Sequence, residues 1–144
     1  MITLQQYFGL KARDERQVSE AVNLLDRVDR LTDEAEAAGI FARPIDPDTE
    51  TEISGSRGGN GDGGFRLPDA VTGRSKSSHK EARGVDVYDP GNQFDNWLTT
   101  YDDGLGGNSK LEEYGLYREH PDSTNSWVHL TTRPPGSGKR TFQP

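Results

Sequence analysis

The sequence contains no cysteine, and this absence excludes disulfide scaffolds, thiolate zinc sites and thiol nucleophiles. Any metal site must therefore be built from histidine and carboxylate side chains. Long apolar runs are also missing, and none approaches the roughly 18 to 20 residues that span a bilayer, so we expect no membrane insertion. The first six residues, MITLQQ, lack the basic segment and long apolar stretch of a secretory signal.

Basic residues are too few for a general phosphate-binding surface. The chain has 17 Lys and Arg against 24 Asp and Glu, a net charge of -7, whereas nucleic-acid-binding domains usually carry a basic excess. We therefore expect no nucleic-acid partner. The length of 144 residues predicts a single domain and leaves the oligomeric state open.

The N-terminal part of the chain has the apolar period of a helix. Apolar residues recur at steps of three and four between about 13 and 39, and Gly39 is a natural stop. This stripe predicts a helix that packs on the core. A partner-binding coiled coil is the alternative, but the stripe lasts fewer than four heptads.

The pattern of short apolar segments in the remaining chain predicts an α+β fold in which a small antiparallel sheet is flanked by helices. Short strands are expected at 51–54, 84–88 and 126–131. Short helices are expected at 94–101, capped by Asn92, and at 111–117. The motif-bearing body would span 52–132, with an extended tail at 133–144.

Three glycine-containing motifs resemble ligand sites without meeting their requirements. The segment 59–64 satisfies G-x-G-x-x-G, but the sequence FRLP that follows cannot open the helix that a dinucleotide site needs. Residues 136–139 lack the first glycine of a phosphate loop, and Arg140 replaces its Ser or Thr. Asn60 and Asp62 are too few oxygen ligands for calcium. The glycine-rich stretch is interpreted as a flexible surface loop that borders a binding site.

Two of the three histidines and one aspartate form a candidate metal site. A catalytic zinc takes three protein ligands and leaves one position for water, and His79, Asp86 and His129 would supply this set. In the strand 84–88, alternation directs Asp86 away from the face that its valine neighbours bury. A charged aspartate there is costly unless it is paired or metal-bound. The alternative is an ordinary strand without metal; His120 is expected at the surface.

The pattern Ser-x-His-x6-Asp, followed by a distant Trp-x-His, resembles the zinc peptidases that cleave cell-wall peptides. These are the D-alanyl-D-alanine carboxypeptidases, the L-alanyl-D-glutamate endopeptidases and many phage endolysins, which share a hedgehog-like fold. The family pattern begins with Ser-Gly-Tyr-Arg. Three segments carry the resemblance across 52–132: Ile53-Ser54-Gly55-Ser56-Arg57, Ser77 through Asp86, and Trp127-Val128-His129. Ser56 stands where an aromatic residue is usual, and Glu81-Ala82 where glycine is common.

The resemblance implies a zinc ion held by His79, Asp86 and His129, and an Arg57 side chain that binds a substrate carboxylate. The implied partner is a peptidoglycan stem peptide, whose amide bonds would be hydrolysed. Because no signal peptide is visible, we expect an endolysin in the cytoplasm of an infected or lysogenic bacterium, or a virion-associated enzyme. Trp127 and Tyr88 are expected as core or cleft walls.

One departure leaves the activity open, because the family's general base lies three residues before the last histidine, where this chain has Ser126. A serine cannot accept a proton near neutral pH as a carboxylate can. Glu119, the favoured acid, or Asp122 could replace it from the preceding segment, or zinc could act with a weaker base. Alternatively, the domain is an inactive, metal-stabilised structural or binding module of a phage.

Overall fold

The computed structural model describes residues 1–55, 63–70 and 77–144. These residues form an α+β fold in which helices pack against a small four-stranded sheet, as the sequence predicts. The helices are α1 (Leu4–Phe8), α2 (Glu15–Ala37), α3 (Gln93–Thr99) and α4 (Ser109–Tyr114). The strands are β1 (Gly84–Tyr88), β2 (Tyr117–Glu119), β3 (Trp127–Thr131) and β4 (Thr141–Phe142), and 3₁₀ turns span Ser78–Glu81 and Pro121–Ser123.

Helix α2 confirms the predicted packing helix. Asp14 caps it by accepting a hydrogen bond from the Gln17 amide at 2.8 Å, and the Gln17 side chain accepts one from the Asp14 amide. Most of its apolar stripe is buried in the core, with Leu24 and Leu31 fully covered, although Val22 is 49% exposed. Within the described ranges, no helix combines the length and apolarity that crossing a membrane requires.

The sheet has the strand order β1-β3-β2-β4, and its register brings two predicted site residues together. Strand β1 runs antiparallel to β3 with Asp86 opposite His129. Since directly paired residues point to the same face, these two side chains are neighbours. Val85 and Val87 on the other face of β1 are buried in the core, as strand alternation predicts.

The sheet is mixed, so the expectation of an antiparallel sheet is wrong at one edge. Strand β2 is antiparallel to β3, but β4 pairs with β2 in parallel, with Thr141 opposite Arg118. The tail 133–144, which the sequence predicts only to be extended, folds back to supply this strand. A pairing two residues long has no periodicity that a sequence pattern could reveal.

Several shorter elements differ from the prediction because their stabilising contacts are not local. The amides of Phe94 and Asp95 in α3 donate to the carboxylate of Asp89 at 3.2 and 2.9 Å, whereas Asn92 makes no capping bond. The predicted helix at 111–117 ends at Tyr114, and Tyr117 begins β2. The predicted strand at 51–54 contributes only two isolated bridges, Thr51 to Asp46 and Ile53 to Val87. Helix α1 was not predicted, because five residues are too few to show a helical period.

The described end of the glycine-rich stretch, Gly63 and Gly64, is buried, whereas the sequence predicts a surface loop there. The Asp86 amide donates to the Gly63 carbonyl at 2.8 Å, so this segment lies against β1. A Cβ at Gly63 would lie 2.0 Å from the Ser54 carbonyl oxygen, and one at Gly64 would lie 2.6 Å from that of Tyr7. Glycine is needed here for close backbone contact. Residues 59–62, including Asn60 and Asp62, lie outside the described residues.

A buried arginine fixes β2. Arg118 is fully buried, and its guanidinium donates to Asp95 at 2.6 Å and to Asp102 at 3.0 Å. These two carboxylates offset the cost of burying the charge. Because successive strand residues point to opposite faces, Glu119 is directed away from this ion-pair network.

Candidate metal centre

The three predicted ligands come from two strands and the 3₁₀ turn that precedes the first strand. His79 lies in the turn Ser78–Glu81, Asp86 in the middle of β1 and His129 in the middle of β3. All three are buried, with at most 7% of the residue exposed. They are brought together as the sequence predicts.

The ligand atoms of these residues are spaced for a single metal ion. Asp86 Oδ1 lies 2.8 Å from His129 Nδ1 and 3.3 Å from His79 Nε2, and one ligand atom from each residue lies within 4.8 Å of the others. A tetrahedral zinc with bonds of about 2.0–2.1 Å places its ligand atoms about 3.3 Å apart. The group can therefore hold a metal ion with small side-chain movements.

The orientation of His79 is fixed from both sides. Its backbone amide donates to Ser77 Oγ at 3.3 Å, and its ring Nδ1–H donates to the Gly64 carbonyl oxygen at 2.9 Å. A carbonyl oxygen can only accept, so Nδ1 carries the proton. The neutral ring then turns its Nε2 lone pair toward Asp86, the arrangement that a metal ligand requires.

The charges of the group favour a cation. Burial lowers the pKa of His79, although the neighbouring Asp86 opposes this shift, so the ring is neutral near pH 7. Burial by itself would raise the pKa of Asp86, but His79 and His129 outweigh it and hold that pKa below its ordinary value. The ionised Asp86 carboxylate and the His79 Nε2 nitrogen lie 3.3 Å apart, so a cation bound between them would be attracted to both.

The group opens onto a cleft of about 490 Å³. Strands β2, β3 and β4 line the cleft with Glu119, Trp127 and Phe142, and Pro135 of the tail also lines it. Two arginines, Arg66 and Arg133, also line the cleft. The three buried ligands are therefore accessible to a molecule that combines charged and apolar groups.

Glu119, the favoured general base, lines the same cleft as the three ligands. Asp122 is 86% exposed in the next turn and is not among the lining residues. Ser126 precedes β3 with a left-handed φ of 75°, and its amide donates to Asn92, so it does not line the cleft either. Of the two candidate acids, only Glu119 lines the cleft.

Arg57, the predicted carboxylate-binding residue, lies outside the described residues. A different arginine, Arg66, which the sequence motifs above do not include, lines the cleft with a side chain only 9% exposed. Its Nη2 lies 3.8 Å from Asp86 Oδ2. A signal existed, since Gly64-Phe65-Arg66 keeps the glycine–aromatic–arginine order of the family's first block, whereas Ser56 replaces the aromatic before Arg57.

The other residues singled out from the sequence lie around this centre. Trp127 is a cleft wall, and Tyr88 is its partner across the β1–β3 pair and is half-buried. His120 is half-exposed, accepts a hydrogen bond from the Asp122 amide and does not line the cleft. His120 therefore takes no part in the candidate metal centre.

Comparison with known proteins identifies no relative, since no protein-family model, curated protein or solved structure matches the chain. The functional assignment therefore depends on the residues and geometry of the site.

Proposed function

We propose that the chain is a zinc metallopeptidase with a hedgehog-like fold. The observation that carries this proposal is the buried His79, Asp86 and His129 group, which opens onto a cleft that also contains Glu119. More particularly, we propose a cell-wall peptidase that hydrolyses amide bonds of peptidoglycan stem peptides, either a phage-derived endolysin or a virion-associated enzyme.

The donor set supports zinc as the metal. Two imidazoles and one carboxylate are a common ligand set of hydrolytic zinc sites, whereas calcium and magnesium prefer oxygen ligands throughout. Three protein ligands also leave the open coordination position that catalysis requires. When bound, zinc supplies the Lewis acidity that polarises the scissile carbonyl and makes water a stronger nucleophile.

The chain's own residues supply the remaining steps. Glu119 accepts a proton from the attacking water and delivers it to the departing amine, so that the peptide bond breaks into a carboxylate and an amine. Arg66 binds a carboxylate of the stem peptide with two parallel donors. The apolar walls formed by Trp127 and Phe142 hold the substrate backbone against these groups and exclude part of the solvent.

The activity is tested with purified peptidoglycan and synthetic stem peptides. We expect the zinc-loaded protein to release fragments with new amino termini, identified by mass spectrometry. Activity should vanish after chelation and return when zinc is added. A protein that binds zinc but cleaves neither substrate would contradict the peptidase assignment.

That contradictory result would favour a second function, an inactive metal-stabilised structural or binding module of a phage particle. The observation that supports this alternative is Ser126, which replaces the acid at the family's usual base position. The two functions separate clearly: the module would gain thermal stability from zinc without showing any hydrolysis.

The proposed role of Arg66 predicts a loss of catalytic efficiency that depends on the carboxylate of the substrate. We expect Arg66→Ala to reduce kcat/KM by about 10- to 100-fold, mainly through KM, because a charged hydrogen bond contributes about 1.5–3 kcal/mol. The loss should disappear with peptides whose carboxylates are amidated. Steady-state kinetics on matched acid and amide peptides measure the effect.

Arg133→Ala is the matched control, since Arg133 lines the same cleft but pairs with Glu81 at 3.1 Å. We expect this variant to distinguish acid from amide peptides as the wild-type protein does. Loss of the preference in Arg133→Ala, with its retention in Arg66→Ala, would transfer the role to Arg133.

A further inference from the structure

A buried serine contacts the side of His129 that faces away from the other ligands. Ser78 Oγ lies 3.2 Å from His129 Nε2, while His129 Nδ1 faces Asp86 Oδ1 at 2.8 Å. Ser78 is almost fully buried, so water competes little for Nε2. Both ring nitrogens of His129 therefore have protein partners.

A hydroxyl suits His129 both with and without a metal. In the metal-free protein, Nδ1–H donates to the Asp86 carboxylate, and Nε2 accepts a hydrogen bond from the Ser78 hydroxyl. Once Nδ1 gives its lone pair to a metal, the ring proton lies on Nε2, and Ser78 Oγ becomes the acceptor. An alanine at this position could satisfy neither state.

The space for this serine exists because β1 begins with glycine. A Cβ at Gly84 would lie 2.3 Å from Ser78 Oγ and 3.1 Å from His129 Cε1. The backbone on both sides of the contact is held in place. The Arg83 amide donates to the Ser78 carbonyl at 2.9 Å, and the Tyr7 hydroxyl of α1 donates to the Gly84 carbonyl at 2.7 Å.

We propose that Ser78 is a positioning residue, which fixes the tautomer and ring orientation of His129 for metal binding. Gly84 is required in this arrangement because it leaves room for the Ser78 hydroxyl. The inference rests on the zinc-binding part of the proposed function and adds two residues to it. It assigns Ser78 an action through His129 rather than through the substrate.

The first test is the zinc affinity of Ser78→Ala, measured by competition with a chromophoric chelator. Loss of a hydrogen-bond partner behind a metal ligand typically weakens metal affinity by about 10- to 100-fold, and we expect a loss in this range. Because ring orientation changes the ligand field, the visible absorption of the Co²⁺-substituted variant should also change. Neither readout depends on catalysis.

Thr32→Ala is the matched control, because Thr32 is a buried hydroxyl that donates to the Val28 carbonyl within α2, away from the cleft. It should lower the melting temperature of the zinc-free protein while leaving the zinc affinity and the cobalt spectrum unchanged. This control separates the effect of losing a buried hydroxyl from the effect of losing the contact with His129.

The requirement for glycine at position 84 is tested by comparing a single and a double variant. We expect Gly84→Ala to lower the melting temperature of the zinc-free protein by about 2–12 °C, because a methyl group is forced into occupied space. Adding Ser78→Ala removes the closest clash and should restore part of that loss. Zinc affinity should remain weak in the double variant, since His129 still lacks its partner.

The possible failures are distinguishable. If the wild-type protein binds zinc and Ser78→Ala binds it equally tightly with an unchanged cobalt spectrum, the role of Ser78 is overturned and the proposed function stands. A Gly84→Ala protein as stable as the wild type would overturn the spatial requirement. Absence of zinc binding by the wild-type protein would overturn the proposed function and this inference together.

Discussion

Asp86→Asn should abolish zinc binding while leaving the fold intact. Asparagine has nearly the shape of aspartate and can still accept a hydrogen bond from His129 Nδ1–H. It lacks the negative charge that faces both imidazoles, and a neutral amide oxygen is not a usual zinc ligand. The variant should therefore be purified without metal and take up none in the presence of a competing chelator.

Thermal denaturation provides the quantitative readout for Asp86→Asn. At a zinc concentration about 100 times the Kd, binding stabilises the wild-type fold by about 2.7 kcal/mol, which raises Tm by about 5–11 °C for a chain of this size. We expect no rise for Asp86→Asn. Circular dichroism of the zinc-free variant should match that of the zinc-free wild type.

Asp95→Asn is the control for loss of a buried carboxylate. Asp95 is even more buried than Asp86, but its partner is Arg118 at 2.6 Å. This variant should melt at a lower temperature and still gain stability from zinc. A zinc-dependent rise in Tm that persists in Asp86→Asn would contradict the assignment of Asp86 as a ligand.

The second large effect is expected for Glu119→Gln, which should keep zinc and lose hydrolysis. Glu119 lines the cleft but does not belong to the buried ligand group, so its amide analogue leaves the ligands unchanged. A glutamine cannot accept the proton of the attacking water, and loss of a general base typically reduces kcat by about 10²- to 10⁴-fold. Single-turnover cleavage of a stem peptide measures this step directly.

Asp122→Asn is the matched control for Glu119→Gln. Asp122 is also an acid and lies shortly after Glu119 in the sequence. Its side chain, however, is 86% exposed. We expect wild-type rates and wild-type zinc content for this variant. Retained activity in Glu119→Gln would exclude Glu119 as the base, and loss of zinc would show that it supports the ligands instead.

The metal group could be predicted from the sequence because few residues could form it and most of them lie close together in the chain. The spacing of His79 and Asp86 fits a turn that leads into a strand, and the valines around Asp86 fix which face it occupies. Only two other histidines were available as the third ligand. The antiparallel pairing of β1 and β3, which places His129 opposite Asp86, then completes the group.

The burial of the segment before Arg66 and the wall of the cleft could not be predicted in the same way, because non-local contacts determine them. Gly63 and Gly64 are buried through close approach to the backbones of Ser54 and Tyr7, neither of which is a sequence neighbour. A glycine-rich segment viewed alone is typical of a surface loop. The wall containing Phe142 likewise depends on the two-residue strand β4.

The central claim is that His79, Asp86 and His129 bind a zinc ion at the base of the cleft, and anomalous diffraction at the zinc absorption edge tests it most directly. In crystals of the zinc-loaded protein we predict a single strong peak, about 2.0–2.2 Å from His79 Nε2, His129 Nδ1 and an Asp86 carboxylate oxygen. No peak among these residues, or a peak held by other side chains, would contradict the account.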